Sequence, residues 1–209
     1  NKMANDQSSS LGFRPVRNRF GFYQVNYYPV NTGANLFLYQ PVAFNNSGQV
    51  QIAGAAADNS GILGVIVGFL DASKAALPGG MDTLSSAPYL PSTNNARAAV
   101  ADDPAQWFIA EEDTGGTLIG SANSSGQSIR FTYIATTGNT TTGIANALID
   151  RSTIATGTAG TFILVGPADN VNQDGTTNDV TLAYAKWIVR IGQHQNGATM
   201  LANPLLRPS

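Results

Sequence analysis

The stretch SIRFTYIA, residues 128–135, decides the fold class, because its side chains alternate with a period of two. In an extended chain Phe131 and Tyr133 point to one side, and Arg130 and Thr132 point to the other. This alternation is typical of a β-strand with one buried face. The stretch therefore predicts a sheet with an apolar side turned towards a core.

Short apolar runs of the same kind recur along the chain between clusters of Gly, Asn, Ser, Asp and Pro, which form turns. They include QVQIA (49–53), ILGVIVGFL (62–70), ARAAVA (96–101), QWFIAEE (106–112), TFILVG (161–166) and KWIVRIG (186–192). The best helix candidate, TTTGIANALID (140–150), is weakened by Gly143 and by its threonines. We therefore expect an all-β fold, with a jelly-roll or β-sandwich-like body.

The two ends of the chain differ in composition from this body. Residues 1–38 begin with a polar segment and continue into an Arg-rich and aromatic stretch, which predicts an extended N-terminal arm with a lead-in strand. Residues 39–193 form the β-rich body. Residues 194–209 contain two prolines near the end and little periodicity, which predicts an extended C-terminal tail.

Composition excludes several classes of function. Only 11% of the 209 residues are charged, where roughly 25% is usual. The net charge of −2 argues against a general nucleic-acid binder. The chain has no cysteine and one histidine, which excludes a Cys/His zinc site. No apolar run approaches the length of a membrane-spanning helix.

The N-terminal stretch LGFRPVRNRFGFYQVNYYPV (11–30) concentrates three arginines among aromatic side chains. Arginine and aromatic residues are enriched at the centres of protein interfaces. We expect a partner to be contacted by Phe13, Arg14, Arg17, Arg19, Phe20 and Phe22, outside the chain's own core. Two alternatives stay open: a plain first strand with a polar lead, and stacking on nucleic acid.

Acidic residues concentrate in VADDPAQWFIAEEDTGG, residues 100–116. If the apolar centre is a strand, Asp103 and Glu111 lie about 26 Å apart, at about 3.3 Å per residue. Paired catalytic carboxylates need about 5–10 Å. We therefore interpret the acids as two separate groups, in the turns before and after one strand. A cation site on Glu111, Glu112 or Asp113 is the alternative.

Two further motifs are candidates for a metal site and for a catalytic site. The segment NVNQDGTTND (170–179) resembles the first half of a calcium-binding loop, but it lacks the final acidic ligand, and a polar turn is favoured. His194 follows an apolar run and has no identifiable nucleophile or orienting partner. No GxSxG, Walker or strand–GxGxxG–helix motif is present. The sequence thus predicts no catalytic residue, no metal and no cofactor.

A string of short motifs resembles one known family. In order they are LGFRPVR (11–17), GVIVGF (64–69), YLP (89–91), VADDP with the following EED, TTGIANALIDRST (141–153) and AKWIVRIGQHQ (185–195). This string is similar to the decoration, or cement, proteins of tailed bacteriophages. The resemblance runs over residues 11–195, and the tail NGATMLANPLLRPS departs from it.

The resemblance implies a non-enzymatic virion protein, made in the host bacterial cytoplasm, that coats the exterior of an icosahedral head. Its implied partners are the major capsid protein and further copies of itself, as trimers or as dimers, with no nucleic acid or membrane. The alternative hypothesis is a carbohydrate- or receptor-binding β-sandwich module on the virion surface, with Trp107 or Trp187 stacking on a sugar ring. An enzyme is the least favoured class.

Overall fold

The structure is a computed structural model. It describes residues 11–16, 24–31, 33–54, 61–71, 89–92, 96–122, 129–134, 137–156, 160–169 and 177–195.

Eleven strands and one four-residue helix make up the regular structure of these residues. The strands are β1 (Arg14–Val16), β2 (Val25–Pro29), β3 (Pro41–Phe44), β4 (Val50–Ile52), β5 (Gly64–Asp71), β6 (Ala96–Ala101), β7 (Trp107–Glu111), β8 (Ile129–Ile134), β9 (Leu148–Thr156), β10 (Phe162–Pro167) and β11 (Lys186–Ile191), and the helix is α1 (Ile119–Ala122).

The strands form two antiparallel sheets, and the predicted all-β class and sandwich-like arrangement are confirmed. A six-stranded sheet has the order β1-β7-β11-β10-β8-β9, and a five-stranded sheet has the order β2-β6-β5-β3-β4. Residues 128–135 contain β8, in which Phe131 and Tyr133 are buried as the alternation predicts.

Each sheet is curled so that its distant strands meet through one parallel bridge. Val30, just after β2, bridges to Val50 of β4, where the Asn31 N–H donates to the Val50 carbonyl at 2.9 Å. Glu112, just after β7, bridges to Ile149 of β9, where the Asp113 N–H donates to the Ile149 carbonyl at 3.0 Å. The curl gives the six-stranded sheet an inner face towards the core and an outer face away from it.

Two apolar clusters lie on the two faces of the five-stranded sheet. Ala43, Val65 and Ala101 pack in the cluster shared with the six-stranded sheet, while their neighbours Val42 and Val100 pack in the other cluster. A strand buried on both faces has no need of polar alternation. This explains why residues 62–70 and 96–101 are almost continuously apolar.

The best helix candidate from the sequence is not helical. Residues 140–142 form a turn, in which the Asn139 side-chain oxygen accepts from the Thr141 N–H at 2.8 Å and from the Thr142 N–H at 3.2 Å. Gly143 follows with φ +74°, a conformation that ends the turn, and β9 begins at Leu148. Local side-chain-to-backbone bonds of this kind compete with helix formation.

The expectation that Phe13 lies outside the chain's own core is wrong. Its side chain is 0% exposed, stacks on Phe162 at a ring-centroid distance of 4.6 Å, and meets the edge of Tyr133 at 5.8 Å. Its N–H donates to the Tyr39 carbonyl at 2.8 Å. Because β1 pairs with β7, alternate residues of the lead-in segment face inwards, and Phe13 fills that inner face.

The described part of residues 1–38 belongs to the two sheets. Here β1 pairs with β7, and β2 pairs with β6 along its whole length. At the other end, Gln195 is tied to the body, since its N–H donates to the Ile62 carbonyl at 3.0 Å and its side chain accepts from the Phe44 N–H at 2.7 Å. Residues 1–10, 17–23 and 196–209 lie outside the described ranges.

A Phe13→Ala substitution should destabilise the fold by about 3–5 kcal/mol, because it removes a fully buried ring from a stacked aromatic cluster. Tyr27→Ala is the matched control, since Tyr27 is an aromatic residue on β2 that is 46% exposed, and its loss should cost within about 0.5 kcal/mol. Chemical denaturation of both variants measures the difference. Equal stabilities would show that Phe13 is not part of the folding core.

Candidate interaction surface and buried polar clusters

Two of the six residues predicted to contact a partner are described. Their side chains lie on opposite faces of the six-stranded sheet. Phe13 is in the core, whereas Arg14 pairs with Ile109 on the outer face of the six-stranded sheet. The Arg14 guanidinium carbon lies 5.1 Å from the centroid of the Tyr39 ring, in a cation–π contact. Arg17, Arg19, Phe20 and Phe22 lie outside the described residues.

One row of side chains crosses all six strands on the outer face, and we call it the cross-sheet row. Its members are directly paired from strand to strand, so all of them point away from the core. In order across the sheet they are Val16, Trp107, Arg190, Ile163, Arg130 and Ala155. The next row contains Arg14, Ile109 and Ile188.

The guanidinium of Arg130 reaches towards Gly192, two residues after Arg190 on the chain. A side chain added at Gly192 would meet the Arg130 Nη1 atom at 3.0 Å and the Ile163 Cγ1 atom at 2.8 Å. Gly192 therefore leaves the space in which Arg130 lies against Ile163. The Arg130 Nε atom is buried and has no hydrogen-bond partner. The alternation predicts that Arg130 faces away from Phe131, but its position opposite Ile163, in one row with Arg190, depends on strand register, which the alternation does not give.

The two tryptophans have different environments. Trp187 is 2% exposed, and its indole Nε1–H donates to the Glu112 carboxylate at 3.2 Å, so it is not available to stack on a sugar ring. Trp107 is half-buried on the outer face, between Val16 and Arg190. Of the two aromatic platforms considered from the sequence, only Trp107 lies at the surface.

The first acidic group forms a turn, as the sequence predicts. The Asp103 carboxylate accepts from the Ala105 N–H at 2.8 Å, and its carbonyl accepts from the Gln106 N–H at 2.9 Å. Asp102 accepts hydrogen bonds from the Asn26 amide at 3.0 Å and from the Tyr28 hydroxyl. Burial, with the adjacent Asp102, raises the pKa of Tyr28 to about 12. This group ties β2 to the end of β6.

The second acidic group lies in the turn after β7, as the sequence predicts, and it contains a fully buried carboxylate. Glu112 is 0% exposed, and its carboxylate accepts from Arg151 Nη1 at 3.4 Å and from the Ile119 N–H at 3.4 Å, in addition to the Trp187 indole. Asp113 lies 3.6 Å from Arg151 Nε and accepts from the Arg151 N–H at 3.1 Å. Arg151 thus occupies the place where the sequence allowed a bound cation.

Burial raises the pKa of Glu112 from 4.5 to about 7, against the opposing effects of the Ile119 N–H, Arg151 and Trp187. The environment of the carboxylate therefore disfavours its charge although a guanidinium is near. The sequence does not predict this cluster, because Arg151 is 39 positions away from Glu112, directly after the best helix candidate.

His194 lies where the segment after β11 pairs with the segment before β5. It bridges to Ile62 and is hydrogen-bonded to the backbones of Asp102 and Leu63. Burial lowers the pKa of His194, and Asp102 and Asp103 partly oppose that shift. These contacts give the histidine a structural role in joining the chain after β11 to the segment before β5.

The calcium-loop motif is only partly described. Asn172 and Asp174 lie outside the described residues. Asn178 donates to the carbonyls of Ala168 at 3.0 Å and Lys186 at 2.8 Å, which fixes the connection from β10 to β11. Within the described ranges, no group of three acidic or histidine side chains could hold a metal ion. No helix in the same ranges is long and apolar enough to cross a membrane.

Comparison of this chain with protein-family models, with curated proteins and with solved structures gives no match in any of the three.

The pKa of Glu112 predicts a pH-dependent stability. Between about pH 4.5 and 7 the folded state holds a proton on Glu112 that the unfolded state releases, so this contribution is full below pH 4.5 and is lost as the pH rises through 7. The difference in unfolding free energy across that window is up to about 3 kcal/mol. Glu112→Gln should remove this dependence, which denaturant titrations at several pH values would measure.

Asp150→Asn is the control, because Asp150 is an acid on the same sheet whose side chain bonds only with Ser152. It should keep the pH profile of the unmodified protein. Parallel profiles for Glu112→Gln and the unmodified protein would contradict the assignment of the shifted pKa to Glu112.

Proposed function

We propose that the protein is a structural component of a tailed-phage particle, a decoration protein that binds the outside of the icosahedral head. In this role it stabilises the head by clamping neighbouring major capsid subunits, and it is not an enzyme. The motif string over residues 11–195 supports the proposal, since it resembles that family. The weakly charged composition also suits a surface that is covered in a lattice.

The observation that carries the proposal is that the acidic side chains form hydrogen bonds within the body. Asp102 is bound by Asn26 and Tyr28, Glu112 is bound by Arg151 and Trp187, and Asp103 caps its own turn. The contacts of Asp102 and Glu112 join separate parts of the chain within the body, and that of Asp103 fixes a local turn. Side chains used in this way build a rigid scaffold, which is the property that a clamp between subunits requires.

The finer features of the proposal concern connectivity and assembly. We propose that the body has the strand connectivity of a jelly roll. We also propose that its terminal segments, an N-terminal arm and a C-terminal tail, cross subunit boundaries. Arg17, Arg19, Phe20 and Phe22 remain the proposed contacts of the arm. Assembly as a trimer, or as a dimer, would add avidity, because linked copies bind several capsid subunits at once.

A carbohydrate- or receptor-binding module is the second candidate, and the position of Trp107 favours it. A half-buried tryptophan on an outer sheet face can stack on a sugar ring. Trp107→Ala should abolish binding on a glycan array if this candidate is right. An array without hits for the unmodified protein would exclude it.

Purified protein should bind heads assembled without it and raise their resistance to heat and to osmotic shock. Cosedimentation measures the binding, and release of packaged DNA on heating measures the resistance. Heads that already carry the protein are the control and should take up little more. If the undecorated heads neither bind the protein nor gain resistance, the proposed function is wrong.

A further inference from the structure

The cross-sheet row on the outer face of the six-stranded sheet holds two guanidinium groups that lack ionic partners among the described residues. Arg130 and Arg190 flank Ile163 from its two sides. Neighbouring strands lie about 4.8 Å apart, so the two arginine backbones are separated by roughly 10 Å. Arg151 forms ion pairs with Glu112 and Asp113, and within the described ranges neither Arg130 nor Arg190 takes part in one.

The acids on the same face are engaged elsewhere. Glu111 faces Lys186 across the β7–β11 pair, and both make contacts of their own. Asp150, opposite Thr132, accepts hydrogen bonds from Ser152. The cross-sheet row is therefore a cationic strip on a chain whose net charge is −2. Charge complementarity at this face calls for an anionic partner.

The groups between and beside the arginines indicate which anion fits. Ile163 separates them, Trp107 and Val16 continue the row, and Ile109 and Ile188 form the next row. A face that follows a phosphate backbone carries densely spaced Lys and Arg. Here each guanidinium is bordered by apolar or aromatic side chains, a mixture that is typical of the centre of a protein interface.

We propose that the cross-sheet row is a docking surface for an acidic polypeptide segment. Carboxylates of the partner pair with Arg130 and Arg190, which suit this role because a guanidinium binds a carboxylate through two parallel hydrogen bonds. Apolar side chains of the partner pack on Trp107, which is half-buried in the same row, whereas Ile163 is only 9% exposed and separates the two arginines. The proposal does not depend on which particle the protein decorates, since it specifies only the chemistry of the partner.

Binding of a fluorescein-labelled peptide of alternating Glu and Val, measured by fluorescence anisotropy at low ionic strength, tests the proposal. A peptide with Gln in place of Glu is the reference. The unmodified protein should bind the Glu peptide at least about tenfold more tightly, which corresponds to about 1.4 kcal/mol. The Arg130→Gln/Arg190→Gln double variant should lose this preference and keep its melting temperature.

Arg190→Gln and Arg97→Gln form the matched pair, because each removes one positive charge. Arg97 is exposed on β6 of the other sheet, so its loss should leave the preference unchanged. The proposal is overturned if the unmodified protein shows no preference, or if Arg97→Gln weakens it as much as Arg190→Gln. Tighter binding of a single-stranded oligonucleotide of equal charge, lost in the double variant, would assign the row to nucleic acid instead.

Discussion

The six-stranded sheet depends on one buried carboxylate. Glu112 follows β7 and accepts hydrogen bonds from Arg151 on β9, from the Trp187 indole on β11 and from the backbone of Ile119 at the start of α1. These three donors belong to three different elements, so the carboxylate joins β9 and α1, which do not neighbour β7 in the sheet order, to the paired strands β7 and β11. A buried acid without such partners would cost several kcal/mol, which makes the arrangement specific as well as stabilising.

This constraint determines which side of the sheet is inside. The backbone bridge from Glu112 to Ile149 brings β7 and β9 together at one end, and Asp113 reinforces it by accepting from the Arg151 N–H. With the sheet curled in this sense, Phe108, Phe131 and Phe162 converge on the inner face. Their sequence neighbours must then lie on the outer face, and the cross-sheet row results from that alternation.

Much of the fold could be predicted from the sequence, and the missing part is long-range. Alternation in residues 128–135 predicts β8 and the burial of Phe131, and the Asp103 turn follows from local hydrogen bonding. Register and sheet closure do not follow, because they depend on pairs such as Glu112 and Arg151 that are distant in sequence. The environment of Phe13 differs from the prediction for a local reason, because the density of arginines around it describes the segment and not each of its two faces. In a strand, however, adjacent residues face opposite ways.

The described arginines of the six-stranded sheet have three different environments, which depend on the face and on the strand that carries each of them. Arg151 points inwards, where Glu112 and Asp113 compensate its charge, and its guanidinium in turn opposes the rise that burial causes in the pKa of Glu112. Arg14, at the edge strand, lies over the Tyr39 ring, which stabilises a cation without an anion. Arg130 and Arg190 point outwards in the middle of the sheet, where no acid of the described residues pairs with them. The proposed acidic segment would supply carboxylates to these two guanidiniums, each of which binds a carboxylate through two parallel hydrogen bonds.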